Sequence, residues 1–255
     1  MTTPRDSNES VLDRWRRTDP VVRLSVEVER ELEALAASAG RRVDGLDAPT
    51  REALARALYW DMTSEFDARF YSAHVRGLDV DFSDEYCRAE LQWAYDEAVH
   101  SGGLGRICQR YFGGDPEELA ARRPDFGPID HLFRDEFTIC CLGAYDELVT
   151  VRAYRSQLSL YRALGPDVER FVRRVIADEG RHYGKFVAVI RRHHADRLDE
   201  VPDVVQEIAV AEGTPYRATF VLDHDDDVFA EWMYDEARAI LLRHLAPRPG
   251  VTASI

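Results

Sequence analysis

The chain has 255 residues, a formal net charge of −14 and a sequence pI near 5.0. An acidic balance of this size argues against nucleic acid as a partner, because phosphates attract a basic surface. The N-terminal residues have neither a basic lead nor an apolar core, and no uncharged run approaches the roughly 18 residues of a membrane span. We therefore expect a cytoplasmic protein with no signal peptide and no membrane partner. The cysteines lack C-x-x-C spacing, which favours buried thiols over a zinc site or disulfides.

The hydrophobic pattern predicts an all-α protein with a mobile N-terminal arm over 1–19 and a single domain over 20–255. Apolar residues at helical spacing predict a leading helix over 21–37. Caps, prolines and glycines then predict the limits of four long helices. The first runs over about 47–74, the third over about 129–164 and the fourth over about 166–197. The second starts at 83, and glycines at 102–105 kink it or end it. The Gly- and Pro-rich segment 113–128 suits a long crossover between two hairpins. Residues 198–255 form a C-terminal extension with a last amphipathic helix over 228–245.

A repeated set of acidic and imidazole residues is the main functional signal. The motif Glu-x-x-His occurs twice, and each copy follows a lone glutamate by 32 residues. The residues are Glu65, Glu97 and His100 in the first half, and Glu147, Glu179 and His182 in the second. A Glu and a His three apart on a helix point the same way, and 32 residues allow one antiparallel return. The pattern predicts a dinuclear metal site in a four-helix bundle, and it matches the ligand set known for ferritin-like carboxylate proteins.

Chance does not account for the repeat. With 8 histidines in 255 residues, roughly one Glu-x-x-His is expected at random, but not two with matched upstream glutamates. The alternative is that the glutamates lie on solvated helix faces, yet the stretches around them are rich in apolar residues. Four buried carboxylates would repel one another unless cations neutralise them. Mixed carboxylate and imidazole ligands suit iron or manganese better than calcium or zinc, and two irons are the first choice.

Two aspartates next to these glutamates are candidates to orient the imidazoles. A carboxylate beside one ligand can accept the far N–H of a metal-bound histidine on the facing helix. We expect Asp96 to serve His182 and Asp178 to serve His100.

Four local motifs resemble the soluble acyl-carrier-protein desaturases of the ferritin-like diiron superfamily. The matching segments are Asp61-Met-x-x-Glu65, Asp96-Glu-x-x-His100, Glu147-x-x-Thr150 and Ala177-Asp-Glu-x-Arg-His182. The resemblance covers roughly residues 50–195 and is specific for the ligands, but weak for substrate, since the chain is shorter than the plant desaturases and its first hairpin is tighter. It implies a ferritin-like bundle, bridging carboxylates at Glu97 and Glu179, and a homodimer.

The resemblance also implies a function. A diiron enzyme of this kind uses O2 and an external electron donor such as ferredoxin, and in fatty acid metabolism it desaturates an acyl chain on acyl carrier protein. Thr150 inherits the family threonine's candidate catalytic role in handling protons. Without the resemblance, Thr150 would be a helix hydroxyl bonded to a carbonyl one turn back.

A substrate cavity is expected on the face of the third long helix that carries Glu147, lined by Cys140, Gly143, Thr150 and Tyr154. Gly143 either leaves volume for a ligand or permits close helix packing, which we favour. Arginines at 173, 174, 181, 191 and 192 make the fourth helix basic. They would dock an acidic carrier or donor protein, or form a solvated face with intrahelical pairs, which is the favoured interpretation.

Four functional hypotheses remain at this stage. The first is an acyl-carrier-protein desaturase-like diiron oxidoreductase, and the second is a diiron hydroxylase or N-oxygenase of a small biosynthetic intermediate. A protein of the ferritin or rubrerythrin kind, which handles iron or scavenges peroxide, is the third. A metal-free helical interaction module is the fourth, and it requires the repeated ligand set to be accidental. The ligands define the metal site and not the substrate.

Overall fold

The computed structural model describes residues 10–212, 221–222 and 228–245, and this part of the chain is all-helical with no strand, as predicted. Its α-helices are α1 Val11–Arg17, α2 Val26–Val43, α3 Ala48–Gly77, α4 Asp84–Tyr111, α5 Pro116–Ala121, α6 Glu136–Tyr161, α7 Pro166–His193, α8 Val201–Ala211 and α9 Glu231–Leu245. Short 3-10 turns lie at Gly127–Leu132, Arg162–Leu164 and Ala195–Glu200. Within the described ranges no helix has both the length and the apolarity that crossing a membrane requires.

Four long helices form the centre of the molecule as two hairpins. Helices α3 and α4 pack along each other, as do α6 and α7, and contacts between α4 and α7 and between α3 and α6 join the two hairpins. Side-chain caps start three of these helices: Asp47, Ser83 and Asp135 each accept a hydrogen bond from a backbone N–H three residues on. The fourth starts at Pro166, directly after Gly165 with φ of +103°. These local signals explain why the helix starts near 47, 83 and 166 were predicted well.

The N-terminal region differs from the prediction. Residues 11–17 of the expected mobile arm form α1, while residues 1–9 lie outside the described ranges. Trp15 is buried, and its indole N–H donates to Glu90 at 2.6 Å. Arg76 also donates to that carboxylate, so a buried ion pair fixes α1 against α3 and α4. The leading helix α2 starts and ends about five residues later than predicted and packs on α4 and α7.

The third long helix begins later than predicted. Residues 129–132 belong to a 3-10 turn at the end of the crossover, and α6 starts only at Glu136. The crossover itself contains the short helix α5. In the C-terminal extension, α9 agrees with the predicted last helix, and α8 occupies a stretch where no helical period was evident. Both pack against α6, while residues 213–220, 223–227 and 246–255 lie outside the described ranges.

The glycines of α4 allow close packing and do not end the helix. Helix α4 continues through Gly102, Gly103 and Gly105 to Tyr111. A Cβ at Gly103 would lie 2.3 Å from the ring of Phe171. At Gly143 of α6, a Cβ would lie 2.9 Å from the Phe186 ring, so this glycine permits close helix packing, as favoured from the sequence.

Two apolar clusters make up the core, and the predicted ligands lie between them. Along α3, Met62 belongs to one cluster and Ala68 to the other, with Glu65 between them. Along α7, Val175 and Phe186 likewise belong to different clusters, on either side of the second Glu-x-x-His. A polar layer therefore crosses the bundle and divides its apolar core.

The packing at Gly143 generates a stability prediction. Gly143→Ala should have a free energy of unfolding about 1–3 kcal/mol lower than that of Gly184→Ala, because the new methyl group overlaps the buried ring of Phe186. Gly184→Ala is the matched control, since nothing lies within 4 Å of its Cβ position on α7. It should raise the free energy of unfolding by about 0.5–1 kcal/mol. Urea unfolding of both variants tests this, and equal effects would contradict the packing interpretation.

Candidate metal centre

The six predicted ligands come together in the polar layer as two overlapping groups. One group is Glu65, Glu97, His100 and Glu179, and the other is Glu97, Glu147, Glu179 and His182. In each group, one possible ligand atom per residue lies within 4.8 Å of all the others, and every member is buried. The two groups share Glu97 and Glu179. These buried groups could each hold a metal ion, and the shared carboxylates are those expected to bridge.

Both imidazoles turn Nδ1 toward the carboxylates. His100 Nδ1 lies 3.1 Å from Glu179 Oε1 and 3.3 Å from Glu65 Oε2. His182 Nδ1 lies 2.9 Å from Glu179 Oε2 and 3.5 Å from Glu147 Oε2. The two halves of the site are thus arranged alike, as the tandem repeat in the sequence implies.

The other ring nitrogen of each histidine meets an aspartate of the opposite hairpin. His100 Nε2 lies 3.2 Å from Asp178 Oδ2, and His182 Nε2 lies 3.1 Å from Asp96 Oδ2. Both predicted pairings are confirmed as contacts. An aspartate that accepts the Nε2 proton leaves the Nδ1 lone pair free for a metal.

Each aspartate is itself held by a second residue. Gln92 donates to Asp96 at 3.0 Å, and Arg181 donates to Asp178. Arg174 also lies 3.7 Å from Asp178. The positions of both imidazoles therefore depend on hydrogen bonds that reach the protein surface.

Two aromatic donors fix the lone glutamates, and the sequence analysis missed this role for both. Trp93 donates its indole N–H to Glu147 Oε1 at 2.7 Å, and Tyr154 donates its hydroxyl to Glu65 Oε1. In each glutamate the other oxygen, Oε2, is the one that faces a histidine. A buried aromatic residue on a facing helix was the only available signal, because the donors lie 54 and 89 residues from their acceptors.

One further buried acid lies beside the site. Asp61, one turn before Glu65, accepts a hydrogen bond from the Tyr161 hydroxyl. Burial raises the pKa of Asp61 to about 8, with Tyr161 opposing the rise and Glu65 adding to it. The carboxyl group therefore tends to stay protonated at neutral pH.

Without a bound cation, protons neutralise the buried charges. Burial and the neighbouring Glu179 and Glu65 raise the pKa of Glu97 well above its ordinary value. Burial lowers the pKa of His100, but Glu179 and Glu65 outweigh it, and the result is a pKa of about 10. The pKa of His182 is about 11, because Glu147 and Asp96 likewise outweigh burial. The pKa of Glu179 falls, since both imidazolium groups face it.

The donor set fits a pair of metal ions. Glu97 Oε1 and Glu179 Oε1 are buried and accept no hydrogen bond of good geometry, although His182 Nδ1 lies 3.4 Å from the former and His100 Nδ1 lies 3.1 Å from the latter. A buried carboxylate oxygen is costly unless positive charge lies close to it, and metal ions would replace the protons of the two imidazoles in that role. Each group offers three carboxylates and one imidazole nitrogen, a ligand combination that suits iron or manganese.

A small cavity adjoins the site on the side of α3 and α6. Its volume is about 30 Å³, and Thr150, Tyr154 and Phe229 line it together with the glutamates of both groups. This volume accommodates about one water molecule or a diatomic gas, not an organic molecule. Cys140 and Gly143 do not line it. Gly143 lines a separate cavity of about 10 Å³ together with Glu147 and Phe186, so the expected substrate cavity for Cys140 and Gly143 stays a prediction.

Thr150 lines the small cavity beside Glu147. Within the described part of the chain its hydroxyl makes no hydrogen bond, so the alternative bond to a carbonyl one turn back is absent. The catalytic role expected for Thr150 stays a prediction.

The arginines of α7 are largely neutralised. Arg173 pairs with Glu169, Arg174 and Arg181 with Asp178, and Arg192 with Glu85. The favoured interpretation, a solvated face with ion pairs, describes this surface well. No acidic partner is needed to account for it.

Comparisons of the chain with models of protein families, with curated proteins and with solved structures found no match. The metal centre is therefore interpreted from its own geometry.

The protonation of the site predicts that metal binding releases protons. Both imidazoles have pKa values above 7 in the metal-free protein, so a metal at Nδ1 must displace a proton from each. Raising the pH removes the competing protons, and the apparent affinity should rise with pH between about 6 and 9. Calorimetry of manganese(II) binding in buffers of different ionisation enthalpy measures the proton release. An affinity independent of pH would contradict the assignment of the imidazoles as ligands.

The aspartate contacts predict a matched pair of affinity losses. Asp96→Asn and Asp178→Asn should each weaken metal binding about 10- to 100-fold, since an amide does not favour the required imidazole tautomer as a carboxylate does. Competition with a chelator measures the affinity. The exposed Asp199→Asn is the control and should leave the affinity unchanged. An unchanged affinity in either test variant would show that its contact does not support the metal.

Proposed function

We propose that this protein is a non-haem diiron enzyme that uses dioxygen to desaturate or oxygenate an organic substrate. The observation that carries the proposal is the pair of buried groups that share Glu97 and Glu179. Two carboxylates common to both groups suit two ions held close together. The motifs that resemble the acyl-carrier-protein desaturases support iron and dioxygen as the chemistry.

The residues divide into those that hold iron and those that hold the ligands in place. Glu65 and His100 would complete one iron position, Glu147 and His182 the other, and Glu97 and Glu179 would bridge. A bound iron pair supplies the redox chemistry for activation of dioxygen. Asp96, Asp178, Trp93 and Tyr154 orient ligand atoms, so the site is organised before metal arrives.

The small cavity is where the protein can handle oxygen and protons. It admits a molecule of the size of water or dioxygen next to the glutamates. Thr150 Oγ1 can hold or pass a proton there, because it lines the cavity and is not engaged in an intrahelical bond. Apolar side chains, with Phe229 among them, limit the access of water.

The cavity volume bears on the kind of substrate. A cavity of about 30 Å³ next to Thr150 offers no room for a long acyl chain on this side of the iron site. Within the proposal, the organic substrate is therefore expected in the cleft on the other side, whose volume of about 420 Å³ suits a compact biosynthetic intermediate. A second and larger cleft, which reaches Glu65 and Glu97 from the other side, favours a substrate-using enzyme over an iron-storing protein.

Iron loading provides the test of the proposed centre. Protein purified after aerobic iron loading should contain close to two irons per chain and show an oxo-bridge absorption in the near ultraviolet. Both signals should be lost in Glu147→Ala and His182→Ala, because each change removes a ligand of the second group.

The exposed Asp199→Ala is the control for iron loading and should keep both signals. Sub-stoichiometric iron that neither ligand variant alters would overturn the proposed centre. Two irons without oxygen uptake in the presence of a reductant would retain the metal site and overturn the oxidase.

A further inference from the structure

A cleft of about 420 Å³ lies between the segment 20–24 and helices α3 and α4. Glu65 and Glu97 line it as well as the small cavity, so the carboxylates of the metal centre separate the two spaces. A volume of this size is within the range of small-molecule sites. Of the cavities next to the metal centre that the described residues form, this one can admit an organic molecule.

Apolar side chains make up much of the cleft wall. They come from the linker before α2 and from the facing sides of the hairpin, and include Val22, Leu24, Phe66, Ala94 and Ala98. The wall therefore favours a ligand with an apolar body.

Arginines supply the charged part of the wall, and they differ in their partners. Arg106 pairs with Glu29 and Glu33. Arg23 and Arg69, in contrast, form no ion pair with any residue in the described ranges. Arg23 is exposed, whereas Arg69 is partly buried beside the aromatic part of the wall.

Arg69 is held ready for a ligand. Its guanidinium carbon lies 3.6 Å from the ring centre of Phe66 and 4.6 Å from that of Phe70. Stacking on two rings restricts the side chain to a defined position. Its Nε is buried and has no hydrogen-bond partner. The terminal nitrogens of Arg69 form no hydrogen bond within the described residues either, and they can offer a carboxylate a bidentate contact.

Electrostatics favours an anion at this position. Burial lowers the pKa of Arg69, which reflects the cost of a desolvated cation without a counter-ion. The nearby Asp67 offsets only part of this cost, because Arg122 already binds that carboxylate with two nitrogen atoms. Other arginines without an ion pair within the described residues, such as Arg30 and Arg155, are exposed, whereas Arg69 is partly buried and an anion would offset its desolvation.

The position of Arg69 on α3 relates it to the metal centre. It follows Glu65 by four residues, so the two side chains lie on one face of the helix, about 6 Å apart along its axis. A ligand anchored by its anionic group at Arg69 would extend its apolar part toward Glu65 and Glu97. Its anionic group would stay one helical turn away from the carboxylates that would repel it.

We propose that the cleft binds the substrate as a compact amphipathic carboxylate, with its carboxylate paired to Arg69 and its apolar part next to Glu65 and Glu97. The substrate class rests on the proposed diiron function, whereas the binding site itself does not require iron. A free organic acid of this kind differs from an acyl chain tethered to a carrier protein. Arg69 acts here as a specificity-determining residue, not as a ligand of the metal.

Equilibrium binding of a matched pair of probes tests the inference. The probes are 3-phenylpropionate and its neutral counterpart 3-phenylpropan-1-ol, titrated by calorimetry into iron-loaded and iron-free protein. The carboxylate should bind at least about tenfold more tightly than the alcohol to iron-loaded protein, since a charge-assisted pair is stronger than the neutral hydrogen bond that the alcohol can form. Arg69→Gln should abolish this preference, and Arg69→Lys should keep part of it, because it retains the charge without the fork.

Arg56→Gln is the matched control, because Arg56 lies on the exposed side of α3. Glu52 is its ion-pair partner within the described residues, and the variant should keep the full preference. Equal affinities for the two probes, no saturable binding of the carboxylate, or an unchanged preference in Arg69→Gln would each overturn the inference. If iron fails to bind but the preference still depends on Arg69, the diiron function falls and the carboxylate site stands. If iron binds without the preference, only the carboxylate site falls.

Discussion

The burial of four carboxylates and two imidazoles in one layer is the constraint on which the rest of the structure depends. None of these six residues is more than 6 % exposed, and they separate the apolar core into two clusters. A layer of apolar residues at the same height would join the clusters and stabilise the bundle more. The polar layer is therefore maintained at the expense of stability, as is usual for a functional site.

The surrounding residues restrict what each ligand can do. Trp93 and Tyr154 each occupy one oxygen of a lone glutamate and leave the other directed inward. The two aspartates hold the imidazoles, and they are fixed in turn by Gln92 and Arg181. The shared glutamates, by contrast, each have an oxygen that accepts no hydrogen bond of good geometry and lies within 3.4 Å of an imidazole Nδ1. Protons on Glu97 and on both imidazoles therefore balance the charge at the centre, and a pair of cations would displace them.

Features that depend on neighbouring residues could be predicted from the sequence, whereas contacts between residues far apart in the chain mostly could not. Helix starts at Asp47, Ser83 and Pro166 follow from capping chemistry, and the ligands follow from helical spacing repeated at a constant offset. The pairing of aspartates with histidines was also predictable, since it depends only on two helices that face each other at matched positions.

The role of Trp93 was not predictable, because it depends on the rotation of α4 against α6. The burial of Trp15 was missed for a similar reason: its partners Glu90 and Arg76 are distant in the chain, and its neighbours are polar. The volumes of the two small cavities depend on where the rings of Phe186 and Phe229 lie, and residue spacing along a helix does not predict this.

The exchange of groups between the hairpins makes each half of the site depend on the other. Each hairpin supplies three residues to its own group of possible ligands, one shared glutamate to the other group, and the aspartate that holds the other's histidine. A single hairpin would thus lack both a shared carboxylate and an orienting aspartate, and two identical hairpins related by a twofold axis would supply both. This symmetry ends at the ligands, because Arg69 follows Glu65 by four residues, whereas Val151 stands at the equivalent position after Glu147. The larger cleft is lined by Glu65 and not by Glu147, so the two halves of the site resemble each other in their donors and differ in what can approach them.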